Sequence, residues 1–313
     1  MDLSALRHAL EHLPTPASLA LIKQAYEEIS QAYRSGHKII LNSAPQQLAY
    51  LHARMPATVA VLSKILAHLP VSSYSLLDLG SGPGSVLWAA QMNDLDIERA
   101  LCLDQSQGLL TLGKQLMDTT NTTTNIQWQK ADLLRLTPEE EKRSDLVAIS
   151  YVLNEISSEQ QGILIQKAWN LTKRYLILVE PGTPKGYQNL MAARTQLIQS
   201  SAFILAPCTH EQSCPMSGQD WCHFGVRLPR SKLHKDIKGA LPYEDEKYSY
   251  LIASRETPVN RPRARIVKSP LTSAGLKEFD LCDEGGLSRV KVSRKQNELY
   301  KKARKLEWGD GWV

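Results

Sequence analysis

Between residues 72 and 180 the chain alternates short apolar runs with segments of helical period, and few folds accept that pattern. Apolar runs fall at 76–79, 100–103, 126–128, 146–152 and 175–179, while 86–92, 107–117 and 160–171 read as helices. Strands that alternate with helices lie parallel, with helices on both faces of the sheet, because each connection must cross over it. The predicted fold is α/β, a doubly wound Rossmann-like sheet.

Helical pieces precede this region. Leu19, Ile22, Tyr26 and Ile29 recur at helical spacing, as do Leu48, Leu51 and Met55, and residues 58–69 continue the pattern up to Pro70. They predict an N-terminal helical cap over 1–70. A helix at 187–199 leads to a sixth strand at 203–206, and the next strong strand signal is 248–253. The core is thus placed at 71–255, with a cysteine-rich insertion over 207–247 that exceeds ordinary loop length. The tail, 256–313, carries short apolar pieces at 264–267 and 290–292 among Pro, Gly and basic residues, which predict small strands.

With 42% hydrophobic and 22% charged residues, the 313-residue chain has a globular composition. It holds no apolar run of 18 residues, and its first residues lack both a basic start and an apolar stretch. The expectation is a cytoplasmic protein with no membrane partner. Charge is unevenly spread. Residues 1–226 carry 17 basic and 20 acidic side chains, and residues 227–313 carry 20 and 12. A basic C-terminal third suggests a polyanionic partner, although a solvated basic surface gives the same count.

The first strand runs into Asp78-Leu79-Gly80-Ser81-Gly82-Pro83-Gly84. Glycines at a strand-to-helix bend permit positive φ and let a ligand approach the backbone. Asp104 follows at the end of the second strand, where a carboxylate can accept ribose hydroxyls. Asp132 follows the third strand, where an adenine amino group is expected. The turn resembles the first motif of S-adenosylmethionine-dependent methyltransferases, which makes Asp78, Gly80, Ser81, Gly82, Gly84, Asp104 and Asp132 candidate cofactor contacts. A dinucleotide fits the glycine pattern less well. No Asn-Pro-Pro-aromatic motif, of the kind amino-methylating enzymes often show, ends the fourth strand. Asn154 and Glu155 stand there instead, as proton acceptors or as caps of the next helix. Glu180-Pro181-Gly182-Thr183-Pro184, after the fifth strand, is a further candidate lining.

Five cysteines fit poorly with a complete disulfide framework. Cys102 lies in an apolar run and reads as a buried small hydrophobe. Cys208, Cys214, Cys222 and Cys282 are candidate metal ligands, for zinc or an iron–sulfur cluster, and spacing alone does not choose. His210 and His223 are alternative zinc ligands. A thiolate nucleophile for pyrimidine methylation is disfavoured, because Cys208 follows the sixth strand and not the fourth.

Taken together, the residues resemble the methyltransferase-like family of the mitochondrial small ribosomal subunit and its bacterial relatives. The matching stretches include Tyr50-Leu51-His52-Ala53-Arg54-Met55-Pro56-Ala57-Thr58, the glycine turn, Pro207-Cys208-Thr209-His210 and Trp221-Cys222-His223-Phe224. Tyr243-Glu244-Asp245-Glu246-Lys247-Tyr248-Ser249-Tyr250, Ala303-Arg304-Lys305 and Trp308-Gly309-Asp310 complete them. The resemblance implies a class I methyltransferase fold with a metal-binding C-terminal extension. It also implies S-adenosylmethionine as cofactor and a 4Fe–4S cluster on Cys208, Cys214, Cys222 and Cys282, with zinc as the alternative. The implied partner is ribosomal RNA or the small ribosomal subunit. Two functions follow, an RNA methyltransferase or a non-catalytic assembly factor that uses the fold as scaffold. Arg261, Arg263, Arg265, Lys268, Arg289, Lys291, Arg294, Lys295, Lys301, Lys302, Arg304 and Lys305 are then candidate phosphate contacts.

Overall fold

The structure, a computed structural model, describes residues 2–14, 16–34, 41–137, 139, 142–216, 220–239 and 241–312. Residues 35–40 of the expected cap, and 217–219 and 240 of the cysteine-rich insertion, lie outside the described residues. By contacts the chain divides into two compact units, Met1–Leu176 with Val226–Glu246, and Ile177–Gly225 with Lys247–Val313.

In the first unit four helices precede the sheet: α1 (Ser4–His12), α2 (Leu19–Arg34), α3 (Ala44–Ala53) and α4 (Met55–Leu66). The start of α3 is fixed by a reciprocal cap, in which Ser43 accepts from the Gln46 amide and the Gln46 side chain returns to the Ser43 amide. The apolar residues Ile22, Ala25, Ile29, Leu48, Ala49 and Ala53 pack into one cluster with Leu109 and Ile237. Helix α4 is buried almost all round, from Met55 through Leu66.

The alternation then unfolds as β1 (Ser73–Leu79), α5 (Ser85–Gln91), β2 (Asp96–Asp104), α6 (Gln107–Met117), β3 (Asn125–Lys130), β4 (Ser144–Ser150), α7 (Ser158–Leu171) and β5 (Thr172–Pro181). Strand β1 pairs in parallel with β2 (Leu76 opposite Ala100) and with β4 (Leu76 opposite Leu146), and β2 pairs in parallel with β3. Next come α8 (Pro184–Gln199), β6 (Phe203–Ala206), β7 (Phe224–Pro229), α9 (Lys232–Lys238) and β8 (Tyr243–Ser254). Strand order in the larger sheet is β3-β2-β1-β4-β5-β8-β6, with β7 on β8. The order turns round between β1 and β4, so this is a doubly wound α/β sheet with its switch point beside the glycine turn. The gap expected between 206 and 248 is not all loop, since it contains β7 and α9.

In the second unit β6 runs antiparallel to β8. A separate five-stranded sheet follows, built from β9 (Ala264–Ile266), β10 (Leu271–Ser273), β11 (Leu276–Asp283), β12 (Gly286–Ser293) and β13 (Gly311–Trp312), with α10 (Asn297–Ala303) before its last strand. Its small core consists of Ala264, Ile266, Phe279, Leu281, Val292 and Ala303. The short apolar pieces of the tail are thus strands of one sheet.

Candidate functional site

The bend between β1 and α5 is held from below by β2. The amides of Gly80 and Ser81 both donate to the Leu103 carbonyl, at 2.8 and 3.0 Å. The Gly82 amide donates to one oxygen of Asp104 (2.9 Å), and the Ser106 amide to the other (2.8 Å). Asp104 therefore ties the two loops together through its two carboxylate oxygens. Gly80, Gly82 and Gly84 have φ of +82°, +51° and +81°. A side chain on Gly80 would collide with Val152, whereas one on Gly82 would meet only the Tyr50 hydroxyl, at 4.0 Å. The backbone at Gly82 thus faces open space, a cradle that even a methyl group would begin to fill.

Beneath the turn Asp78 is buried, and both its carboxyl oxygens lack a hydrogen-bond partner among the described residues. Burial, and then the charge of Asp104, push its pKa up to about 8. A buried carboxyl without donors awaits a cationic or donor-rich neighbour. Ser81 is buried too, and its hydroxyl has no partner among the described residues. Cys102 is fully buried in β2, as expected, and burial raises its thiol pKa well above the usual value.

Asp132 is placed differently. It is exposed, caps the 3-10 turn Leu133–Arg135 by accepting from Leu134 (3.0 Å), and lies 3.5 Å from Arg135. Asn154 and Glu155 sit in a 3-10 turn, Leu153–Glu155, and neither caps α7. That role belongs to Ser157, which forms a reciprocal cap with Gln160. Tyr151, at the end of β4, has φ of +62°, a strained value for a bulky residue and typical of ligand-binding ends of sheets. Glu180 is buried and accepts from Asn189 (3.2 Å), and Thr183 caps α8.

One constellation was not singled out for chemistry by the sequence. Arg54 and Glu246 form a two-bonded ion pair (3.2 and 3.3 Å), largely sheltered from solvent. Burial works against the Arg54 charge, but Glu246 and the Tyr151 and Tyr50 side chains outweigh it and raise its pKa. The signal lay in the Tyr50–Thr58 and Tyr243–Tyr250 matching stretches, but nothing there showed that they meet.

The second unit brings the four cysteines together. Cys208 follows β6, Cys214 lies in the next loop, Cys222 precedes β7 and Cys282 sits in β11, paired with Arg265 of β9. All four are free and line one cavity of about 30 Å³, room for roughly two waters. Burial raises Cys208 and Cys222 above the usual thiol range, and Cys282 reaches about 12. The Tyr187 hydroxyl donates to the Cys214 sulfur at 3.3 Å. Among the described residues no three His, Cys, Asp or Glu side chains are grouped so as to hold a single metal ion. His210 and His223 do not line the cavity. His210 is buried near Arg194, and His223 stacks on Trp221 with ring centres 5.2 Å apart.

Most of the tail's candidate phosphate contacts are engaged within the protein. Arg265 is buried, Arg261 is bound to Glu211, Lys268 to Asp220, Arg289 to Asp280, Lys291 to Glu278 and Lys301 to Glu298. Arg263, Arg294, Lys295, Lys302, Arg304 and Lys305 are exposed and stand outside these pairs.

A model of the family described as "Mitochondrial small ribosomal subunit Rsm22" matches residues 44–313. The human mitochondrial ribosome assembly protein METTL17 is 28% identical over 284 residues, 84% of this chain and 61% of its own length. A mitochondrial Rsm22-cox11 tandem protein of Schizosaccharomyces pombe is 26% identical over 322 residues, 85% of this chain and 43% of its own. The chain therefore spans less than two thirds of these relatives. Among solved structures, a magnesium protoporphyrin IX methyltransferase from Synechocystis PCC 6803 with bound SAH is similar at 15% identity and a TM-score of 0.43, over 76% of this chain and 100% of that one. A SAM-dependent methyltransferase from Aquifex aeolicus is similar at 10% identity and a TM-score of 0.41, over 67% and 97%. The relatives' mitochondrial designations overturn the cytoplasmic expectation. Its basis was the lack of an 18-residue apolar run and of a basic, apolar start, and neither feature fixes the compartment. Among the described residues no helix is long and apolar enough to cross a membrane.

Proposed function

The chain belongs to the family of the mitochondrial small ribosomal subunit protein Rsm22, and from that premise we propose that it binds S-adenosylmethionine and acts on small-subunit ribosomal RNA during subunit assembly. The observation that carries the reading is the turn at Gly82, open in front of its backbone, with Asp104 anchored beside it and Asp78 buried without a donor. The cofactor would supply an electrophilic methyl group on a cationic sulfonium. On this reading Gly80, Ser81, Gly82 and Gly84 shape the bend that admits it. Asp104 is the acceptor for the ribose hydroxyls, and Asp78, protonated in the free protein at neutral pH, becomes a negative partner for the cationic end by releasing its proton as the ligand enters. Asp132 would reach the adenine amino group only by releasing Arg135. By analogy with the relatives named above, the place of action is the mitochondrion.

The cysteines complete the proposal as an iron–sulfur centre. Four thiols facing one cavity form a donor set suited to iron or zinc. The choice of a cluster over zinc follows from the family resemblance of the cysteine segment and not from the cavity, which has room for only about two waters. Replacing Cys214 by Ser is expected to remove the metal and destabilise the second unit, because such centres couple binding to folding. Metal and acid-labile sulfide analysis of anaerobically purified protein checks this, and a metal-free wild type would refute it.

A second reading is an assembly factor that binds the cofactor without transferring its methyl group. It is favoured by the end of β4, where Asn154 is exposed and no Asn-Pro-Pro motif stands. Methyl transfer from labelled S-adenosylmethionine to immature small subunits separates the two. Transfer abolished by Gly80→Arg supports the enzyme, whereas no transfer together with normal assembly in that variant supports the scaffold.

A further inference from the structure

Two arginines of the cysteine-bearing unit are buried without an ion-paired carboxylate among the described residues. Arg194, on α8, and Arg265, on β9, are 5% and 4% exposed. The Arg194 Nη2 donates to the carbonyls of His210 (2.7 Å) and Gln212 (2.8 Å). Arg265 donates from Nε to the Pro207 carbonyl (2.9 Å) and from Nη1 to that of Gly309 (3.0 Å). Among the described residues neither forms an ion pair with a carboxylate; Glu211, whose carboxylate feels the Arg194 charge, is held by Arg261, and Asp220 by Lys268. These carbonyl dipoles leave the charge in place, and the Arg194 Nε has no hydrogen-bond partner among the described residues; a buried charge is tolerated only when an opposite one lies near.

The opposing partners at hand are the cysteines. Arg265 lines the cavity beside all four of them and stands opposite Cys282 across β9 and β11, and Arg194 binds the carbonyls of His210 and Gln212, in the loop between Cys208 and Cys214. Arg265 also acts on Cys222, and Arg194 on Cys282. Thiols carry no charge, so the cavity would then offer these two cations no negative group of its own, and Arg194 would depend on a Glu211 already held by Arg261. Four thiolates around a dicationic core carry two net negative charges, which equals what the arginines supply.

We propose that Arg194 and Arg265 are the counter-charges of a dianionic metal–thiolate centre on Cys208, Cys214, Cys222 and Cys282, and that they set how tightly it is held and how readily it is reduced. The inference rests on reading the cysteines as a metal centre. Both arginines are positioning residues, and the Tyr187 hydroxyl on Cys214 adds a hydrogen bond to sulfur of the kind that also tunes such centres.

The test uses the full chain, purified without oxygen, as wild type, Arg194→Gln, Arg265→Gln, Arg194→Lys and Arg265→Lys. Iron and sulfide content are measured first, then the midpoint potential by an optical or electron-paramagnetic-resonance titration. Removing one positive charge should move the oxidised-to-reduced ratio at fixed potential roughly tenfold toward the oxidised form, which is 59 mV for one electron. The Lys variants keep the charge and should stay near wild type. A purely structural role would lower stability with and without metal alike and leave the potential unmoved. Gln variants with wild-type iron and an unmoved potential overturn the inference, as do Lys variants that shift as far as the Gln change predicts. The Lys comparison stands even where a Gln variant fails to fold. If the wild type holds zinc, the same variants are read by chelator competition, with a roughly tenfold loss of affinity expected for Gln and none for Lys. A metal-free wild type overturns the metal-centre reading itself, and this inference with it.

Discussion

Asp78 holds its proton in the folded protein where the unfolded chain releases it. Its pKa stands at about 8, against 3.8 for the free side chain, first because it is buried and then because Asp104 is near. Between those values the folded state binds more protons than the unfolded one. This group's contribution to stability is therefore full below about pH 4 and is lost as the pH rises toward 8. Asp78→Asn should flatten that slope and raise the melting temperature at pH 8, while weakening S-adenosylmethionine binding about tenfold or more. Thermal melts across pH and calorimetric titration check both halves, and an unaltered slope would assign the pH dependence to another group. The neighbouring glycines separate fold from binding in the same way. Gly80→Ala meets Val152 at positive φ and should cost about 1–3 kcal/mol in denaturant unfolding. Gly82→Ala meets open space, so its stability loss should be about 1 kcal/mol, with cofactor affinity bearing the larger effect.

Helices α3 and α9 meet through buried histidines, and this makes their packing sensitive to acid. His52 on α3 has its pKa lowered to about 4 by burial and then by His234. His234 on α9 is lowered to about 3 by burial and then by Lys238. Glu244 lies 2.9 Å from His234, yet Lys238 and Arg230 already share that carboxylate, so it does not draw a proton onto the ring. Both groups stay neutral when folded and gain a proton when unfolded below about pH 6.5. Their contribution is thus complete above pH 6.5 and is lost as the pH falls toward 4 and then 3. Hydrogen exchange should show the amides of α3 and α9 opening first below pH 6, and His234→Gln should reduce that acid sensitivity. The same elements show what a sequence reveals. Strands β1, β4 and β5 were legible because continuous apolar runs mark a strand buried on both faces. Strand β7 was not, although Phe224, Val226 and Leu228 alternate inward, because its strand pattern is short and follows a cysteine- and histidine-rich loop. That the glycine bend and Asp104 would be neighbours was readable, since they lie at the ends of successive strands, whereas Asp132, expected beside them, caps a 3-10 turn and lies against Arg135. The Arg54–Glu246 pair was not, because its halves are 192 residues apart. The pairing of tail cations was equally hidden, as Arg289 with Asp280 and Lys291 with Glu278 follow from the β11–β12 register alone.

At the scale of the whole molecule, the basic C-terminal third becomes a testable surface once its internal pairs are removed. Charge alone offered twelve candidate phosphate contacts, but one is buried and five are held by acids of the same chain. Arg294, Lys295, Lys302, Arg304 and Lys305, in and around the short helix α10, stand outside those pairs, as does Arg263. Cations that already hold a carboxylate would have to exchange one anion for another and gain little on binding RNA. Those without one release condensed counterions from the phosphates, and each such contact steepens the fall of affinity with salt. Replacing Lys302, Arg304 and Lys305 together by Ala should weaken binding to small-subunit RNA and reduce the slope of log affinity against log salt by about 2–3. Replacing Arg289 and Lys291 should leave the slope within about half a unit of wild type, although it breaks two cross-strand pairs. Filter binding or anisotropy across a salt series gives both numbers on one RNA. If the paired residues flatten the slope as much as the exposed ones, net charge governs binding and α10 has no special part. If neither set does, the RNA meets a different surface of this chain.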